Sequence, residues 1–149
     1  MNDLETYLKH LKTRNYSEAT LIHYQSDLDL FRRSAQKSWD QITRKDVEKF
    51  IDEQTSQEFK PKTINRRLYA IDSFYHFLEE VLQKPLPSPV RRCHFIREGR
   101  KLPPLMPNQE VDAFLSTIKN PRDEAIIGLM LYCGLRVGEV SSLKLENVD

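Results

Sequence analysis

The chain has 149 residues, of which 39% are hydrophobic and 30% charged, and its formal net charge is +1 at pH 7. That length suits one ordinary domain or two small ones, and the even spread of apolar residues excludes global disorder. No apolar run is long enough to cross a membrane, and no leader-like segment follows Met1. We therefore expect a cytoplasmic protein without a membrane partner.

The first half of the chain has the spacing of four amphipathic helices. The chain has only 4 glycines, and no segment alternates apolar and polar residues over the length of a strand, which disfavours a sheet. The predicted inward-facing positions are Leu4, Tyr7, Leu8 and Leu11; then Leu21, Tyr24, Leu28 and Phe31; then Val47, Phe50 and Ile51; and finally Ile64, Leu68, Ile71, Tyr75, Leu78 and Leu82. This pattern predicts a compact helical bundle over residues 1–83.

Local signals place the starts of three of these helices. Ser17 is a good N-cap, and Thr43 with Asp46 has the form of a capping box. Pro61 suits the first position of a helix, where its missing N–H would be unpaired anyway.

Residues 84–107 contain six of the 8 prolines together with several arginines, which predicts an extended basic linker. Helical patterns return at residues 109–118, at 122–133 with Gly134 as the C-cap, and from 137 onward. We expect residues 108–149 to be the first part of a second domain that is cut short, because a segment of this length is too small to form a stable hydrophobic core by itself.

Charge is distributed unevenly along the chain. Residues 1–59 carry 9 Lys and Arg against 11 Asp and Glu, residues 60–105 carry 10 against 4, and residues 106–149 carry 4 against 7. The small net charge therefore conceals a basic middle segment, and such a segment indicates a polyanionic partner.

Two basic clusters are candidates for contacts with double-stranded DNA. The first lies at a helix start, where arginine and asparagine suit base edges and lysine and threonine suit phosphates. Its members are Lys60, Lys62, Thr63, Asn65, Arg66 and Arg67. The second lies in the linker and could follow a phosphate backbone; its members are Arg91, Arg92, Arg97, Arg100 and Lys101. The alternatives are a solvated helix start and a soluble tether.

Arg136 is the third candidate, because it follows a glycine turn between two apolar helices. Its neighbours Leu135 and Val137 are expected to be buried, and a buried guanidinium needs an anion or a carboxylate. Glu139 could supply an internal ion pair, or Arg136 could bind a phosphate through its planar fork.

No metal or cofactor site is predicted, nor a small-molecule substrate. Cys93 and Cys133 lie 40 residues apart with no partner at ligand spacing, and we expect both to be reduced thiols.

The segment 132–143, YCGLRVGEVSSL, resembles the first arginine motif of the tyrosine recombinases, the phage-integrase and Xer-like family. Residues 17–31 and 62–78 resemble the second and fourth helices of that family's core-binding domain. Residues 102–104, followed by Glu110 and Val111, are similar to the entry into its catalytic domain. The resemblance thus covers nearly the whole chain in the right order.

The resemblance implies an all-α fold: a four-helix, SAM-like core-binding domain that clamps duplex DNA, a linker, and the first helices of a catalytic domain. Arg136 matches the position that binds the scissile phosphate, and Glu139 matches an acidic position best interpreted as support for that arginine. Full-length family members act as tetramers on DNA, so a homo-oligomer is possible.

The sequence also departs from the family pattern. The later lysine, His-x-x-Arg pair, further His or Trp, and nucleophilic tyrosine would all follow Arg136 and are not expected in this chain. His94 and Arg97 have His-x-x-Arg spacing but precede Arg136, so we interpret that match as coincidental. Pro107 stands where the family often has a capping threonine.

Three functional hypotheses follow. The leading one is the DNA-binding portion of a site-specific tyrosine recombinase, serving integration and recombination, with one catalytic arginine and no activity alone. The second is a non-catalytic DNA-binding regulator or truncated relative that occupies recombination sites. The third is a helical protein-interaction module, which would leave the basic segment unexplained.

Overall fold

The computed structural model of the chain describes residues 2–99, 104–144 and 146. Its contacts form two compact units, Met1–Arg100 and Lys101–Asp149. Every regular element in the described residues is helical, which confirms the all-α prediction.

Four helices form the first unit, and the last three of them begin where the local signals predicted. They are α1 (Asp3–Thr13), α2 (Glu18–Ala35), α3 (Arg44–Ser56) and α4 (Pro61–His76). Ser17 Oγ accepts a hydrogen bond from the Thr20 N–H at 3.2 Å, and the Asp46 carboxylate accepts one from the Thr43 N–H at 2.8 Å. Pro61 is the first residue of α4.

The core of this unit is aromatic and aliphatic. Its most buried large side chains are Tyr7, Leu28, Phe31, Val47, Phe50, Ile64, Leu68, Ile71, Phe74, Tyr75 and Leu78. A short 3-10 helix at Trp39–Gln41, which the sequence patterns did not indicate, brings Trp39 edge-on to Phe74 with ring centroids 4.7 Å apart. The Tyr75 hydroxyl donates to the Trp39 carbonyl at 2.7 Å, so the core is also tied by a buried hydrogen bond.

The helical backbone continues past α4 in a single wider turn, Phe77–Val81. Within it the Leu82 N–H donates to the Phe77 carbonyl at 3.2 Å, a five-residue step typical of a π turn.

Residues 84–98, called the strap below, pack against the bundle instead of forming a solvated tether. Val90 and His94 are buried, and Leu86, Phe95 and Ile96 pack against the core. At its start Lys84 Nζ lies 2.6 Å from an Asp3 carboxylate oxygen. Residues 84–98 of the expected basic linker thus lie against the first unit, because the apolar residues among the prolines find sites on the bundle.

The second unit has three helices: α5 (Asn108–Thr117), α6 (Pro121–Tyr132) and α7 (Val137–Ser141). Pro107 is the N-cap residue of α5 and gives no side-chain cap. Gly134 follows α6 with φ of +68°, a conformation in which glycine is unstrained and which confirms the predicted glycine end of that helix. None of the described residues of this unit is fully buried.

Cys93 and Cys133 are both free and exposed. Over the described ranges no helix has the length and apolar character that a membrane span requires. The same ranges contain no group of three or more His, Cys, Asp or Glu side chains arranged to hold a metal ion.

Candidate nucleic-acid interface

A shallow depression of about 550 Å³ lies at the start of α4. Its lining residues are Tyr24, Lys60, Lys62, Thr63, Asn65, Arg66, Tyr69 and Glu98. Lys60 is the N-cap residue, and its carbonyl accepts from the Thr63 N–H at 2.8 Å, so the first turn of the helix directs these residues to the surface. Five of the six residues predicted at this helix start therefore border one surface depression.

A second depression of about 720 Å³ lies between α4 and the strap. Its lining residues are Tyr69, Asp72, Val90, Arg91, Arg92, Phe95, Ile96 and Arg97. Tyr69 borders both depressions, is 60% exposed, and contacts the Phe95 ring at a tilt of 42° with ring centroids 4.6 Å apart. The structure thus brings described members of both predicted basic clusters onto one surface, around two depressions that share Tyr69. We call it the basic face and define it by Lys60, Lys62, Thr63, Arg66, Arg91, Arg92 and Arg97.

Two carboxylates border the same surface, and both accept hydrogen bonds from neighbouring side chains. Glu98 accepts from the Asn65 side-chain amide at 2.9 Å, and Asp72 accepts from the Ser88 hydroxyl at 2.5 Å. The six cations of the basic face outnumber these two carboxylates, so the surface carries a net positive charge.

Asn65 is committed to contacts within the protein. Its side-chain amide nitrogen donates to the Ile96 carbonyl at 2.8 Å and to Glu98, while its oxygen accepts from the Ile96 N–H at 2.9 Å. Asn65 is also buried. The expected contact of this side chain with a base edge is therefore replaced by a contact that fastens the strap to α4.

Arg66 and Arg67 are adjacent in sequence but differently placed. Arg66 is 41% exposed, borders the first depression and donates through Nη1 to the Asp27 carboxylate of α2. Arg67 is 11% exposed, with its guanidinium carbon 4.2 Å from the centre of the Phe59 ring. Arg67 is thus an interior residue, contrary to the expectation of a DNA contact, because it lies on the same helical face as Ile64, Leu68 and Ile71.

Of the strap arginines, Arg91 is positioned by backbone contacts and by His94. Arg91 Nη1 donates to the Ser88 and Val90 carbonyls at 2.6 and 3.1 Å, whereas Arg92 and Arg97 are exposed. The predicted contacts Arg100 and Lys101 lie outside the described residues.

His94 has a packing role. Its Nδ1 accepts from the Arg91 N–H at 3.1 Å, and its Nε2 lies 3.9 Å from a Glu48 carboxylate oxygen on α3. The ring is buried. Its spacing to Arg97 therefore reflects how the strap packs, in agreement with the interpretation of that motif as coincidental.

Arg136 is exposed, which corrects the expectation of a buried guanidinium. Its side chain is 85% exposed, and Val137 is exposed as well. Glu139 accepts from the Arg136 N–H at 2.7 Å and from Nη1 at 3.2 Å, so it both caps α7 and pairs with the arginine. Three short helices leave too little apolar material around this turn to enclose a charged group.

Sequence reasoning missed Asp27, Tyr69 and Glu98. A signal existed for Asp27, since it lies on the same helical face as Tyr24, Leu28 and Phe31 and is thus a charged residue facing the core. Tyr69 and Glu98 gave no local signal, because their placement depends on how the strap packs.

Comparison with known proteins gives the class and then the family. The first unit is a SAM-like helical domain: the family described as "Phage integrase, N-terminal SAM-like domain" matches residues 4–80. The chain therefore belongs to the phage integrase family of tyrosine recombinases.

Similar proteins include tyrosine recombinase XerC of Lactobacillus delbrueckii subsp. bulgaricus, with 32% identity over 97% of this chain and 52% of the relative. Tyrosine recombinase XerC of Oceanobacillus iheyensis is 27% identical over 100% of this chain and 53% of the relative. The crystal structure of XerA recombinase shares the fold, with a TM-score of 0.51 and 21% identity over 99% of this chain and 51% of that chain. The chain thus spans about half the length of these relatives.

Proposed function

We propose that this chain is the duplex-DNA-binding portion of a site-specific tyrosine recombinase and that the basic face of its first unit contacts the DNA. The observation that carries the proposal is the placement of cations from α4 and the strap around two depressions that share Tyr69. Family membership supports the same function, since the relatives are named as recombinases.

The geometry fits a duplex backbone better than a small anion. The depressions are open and adjoining, so the cations are spread along a surface instead of converging on one point. Such a spread matches a row of phosphates, each of which exchanges a condensed counterion for a lysine or arginine. The exposed start of α4 also presents the positive end of the helix dipole, which favours the same anions.

The first prediction tests Lys60 and Lys62. Replacing both by alanine should weaken binding to a fluorescein-labelled duplex, because two phosphate contacts are lost. The slope of log K against log salt should fall by about 0.9 for each contact. Fluorescence anisotropy titrations at several salt concentrations measure both quantities.

The matched control is Lys9→Ala/Lys12→Ala, which removes the same charge from exposed positions on α1. It should leave the salt slope close to that of the parent chain. Equal losses in the two double variants would mean that binding depends only on net charge, and no loss in either would place the DNA elsewhere.

Arg136 and Glu139 belong to the proposal as the phosphate-binding arginine and its supporting carboxylate. The arginine is accessible, and its Nη1 donates a hydrogen bond to Glu139 at 3.2 Å. A planar cation held in this way can stabilise charge that develops on a phosphoryl group.

A further inference from the structure

Asp27 lies where α2 meets the start of α4, and its carboxylate faces two arginines. One oxygen accepts from Arg66 Nη1, and the other lies 3.7 Å from Arg67 Nε. The Asp27 side chain is only 4% exposed, although the basic face lies one side chain away. A buried carboxylate is therefore in direct contact with a surface arginine of the proposed interface.

Of the two arginines that face Asp27, one lies in the interior and the other reaches the surface. Arg67 stays inside against Phe59, and within the described residues its Nε and Nη1 have no hydrogen-bond partner. Arg66 extends outward and borders the depression that also contains Lys60 and Lys62. Since one carboxylate balances two guanidinium groups, the cluster keeps a positive charge, and its accessible part is Arg66.

Burying these charged groups costs desolvation free energy, which is unfavourable if the cluster serves only to join two helices. Burial raises the pKa of Asp27, and the charges of Arg66 and Arg67 oppose that shift. Apolar residues of similar volume often replace buried ion pairs with no loss of stability. The ionic cluster therefore has a use that apolar packing would lack.

That use is to hold Arg66 in place. A surface arginine samples many rotamers, and fixing it on DNA costs side-chain entropy. An arginine already fixed through Nη1 loses less side-chain entropy on binding, and its other N–H donors remain available for a phosphate or a base.

We infer that Asp27 is a positioning residue for duplex binding, acting through Arg66 without touching the DNA. This inference rests on the proposed function, because it gives one residue of the basic face a fixed orientation. It also assigns Arg67 to the interior side of the cluster.

A double-mutant cycle tests the inference through duplex affinity. Asp27→Asn should raise the Kd roughly fivefold to tenfold, the range expected from releasing one arginine rotamer. In an Arg66→Ala background the same substitution should change the Kd less than about twofold, because no arginine remains to be positioned. Arg67→Met serves as the matched control and should leave the Kd near that of the parent chain.

A second variant separates positioning from folding. Asp27→Leu/Arg67→Met replaces the buried pair by apolar side chains and should be as stable as the parent in thermal unfolding. Its duplex binding should nevertheless weaken as in Asp27→Asn, a loss that a merely structural role would not produce.

The outcomes are distinguishable. A parent chain that does not bind duplex DNA overturns the proposed function itself. Binding by the parent with equal effects of Asp27→Asn in both backgrounds, or normal binding by Asp27→Leu/Arg67→Met, overturns the positioning role alone.

Discussion

Asp46 holds the start of α3 through three donors. Its carboxylate accepts from Lys37 Nζ at 2.6 Å, from the Thr43 N–H at 2.8 Å and from the Thr43 hydroxyl at 2.7 Å. Burial by itself would raise the pKa of Asp46, but hydrogen bonds from Lys37 and Thr43 lower the pKa from 3.8 to about 2.

A pH dependence of stability follows from this shift. Because the folded-state pKa is below the unfolded value, the stabilisation is present above pH 3.8 and is lost as the pH falls through about 2. Asp46→Asn should therefore lower the free energy of unfolding by about 2 kcal/mol at neutral pH and by much less near pH 2. Urea unfolding at both pH values measures the difference.

Asp52→Asn, an exposed position on the same helix, provides the control and should have little effect at either pH. A deficit in Asp46→Asn that is equally large at both pH values would show that the loss is not electrostatic.

Single residues also show where sequence reasoning succeeds and fails. Arg66 and Arg67 are adjacent residues of the same type, yet helical periodicity puts only Arg67 on the face of Ile64 and Leu68. The burial of Arg67 was therefore predictable from the sequence. The burial of Asn65 was not predictable, because its partners lie 31 and 33 residues away on the strap.

At the level of elements, local chemistry determines where the helices begin and end. Ser17, Thr43 and Pro61 act within a few residues of their own positions, and the structure confirms them. The strap is different, because its conformation depends on the sites that α3 and α4 offer to Val90, His94 and Ile96. Composition alone showed its prolines and arginines and hence predicted an extended basic linker.

The strap gives a prediction that centres on Asn65. Asn65→Ala removes all three hydrogen bonds to Ile96 and Glu98 and leaves the half-buried backbone N–H and carbonyl of Ile96 without this partner. The free energy of unfolding should fall by about 2–3 kcal/mol, and the Ile96 amide should exchange its hydrogen faster. Urea unfolding and amide hydrogen exchange test the two effects.

Thr63→Ala, two residues earlier on the same helix and only partly buried, should cost less than about 0.5 kcal/mol. If Asn65→Ala were equally mild, the strap would be held chiefly by its apolar contacts.

For the whole molecule, burial is concentrated in the first unit. The interior residues that the structure describes all belong to α1–α4, the turns that follow α2 and α4, and the strap. The second unit instead exposes many large apolar side chains: Leu105, Met106, Phe114, Leu131, Tyr132, Val137 and Leu143. Local stability should therefore differ between the two units, since it depends on buried apolar contacts.

Native-state hydrogen exchange measures that difference. Amides of α2 and α4 near Leu28 and Leu68 should exchange only through global unfolding. Those of α5–α7 should exchange by local opening and about 100-fold faster or more. Equal protection in both sets, with the same dependence on denaturant, would mean that the two units unfold together.

The exposed thiols give the chain a built-in pair of labelling positions. Cys93 lies in the strap and Cys133 at the end of α6, so each unit carries one thiol. A maleimide donor and acceptor can therefore be attached without introducing a new residue. Energy transfer between the two labels would then report the distance between the two units in solution, with and without a duplex.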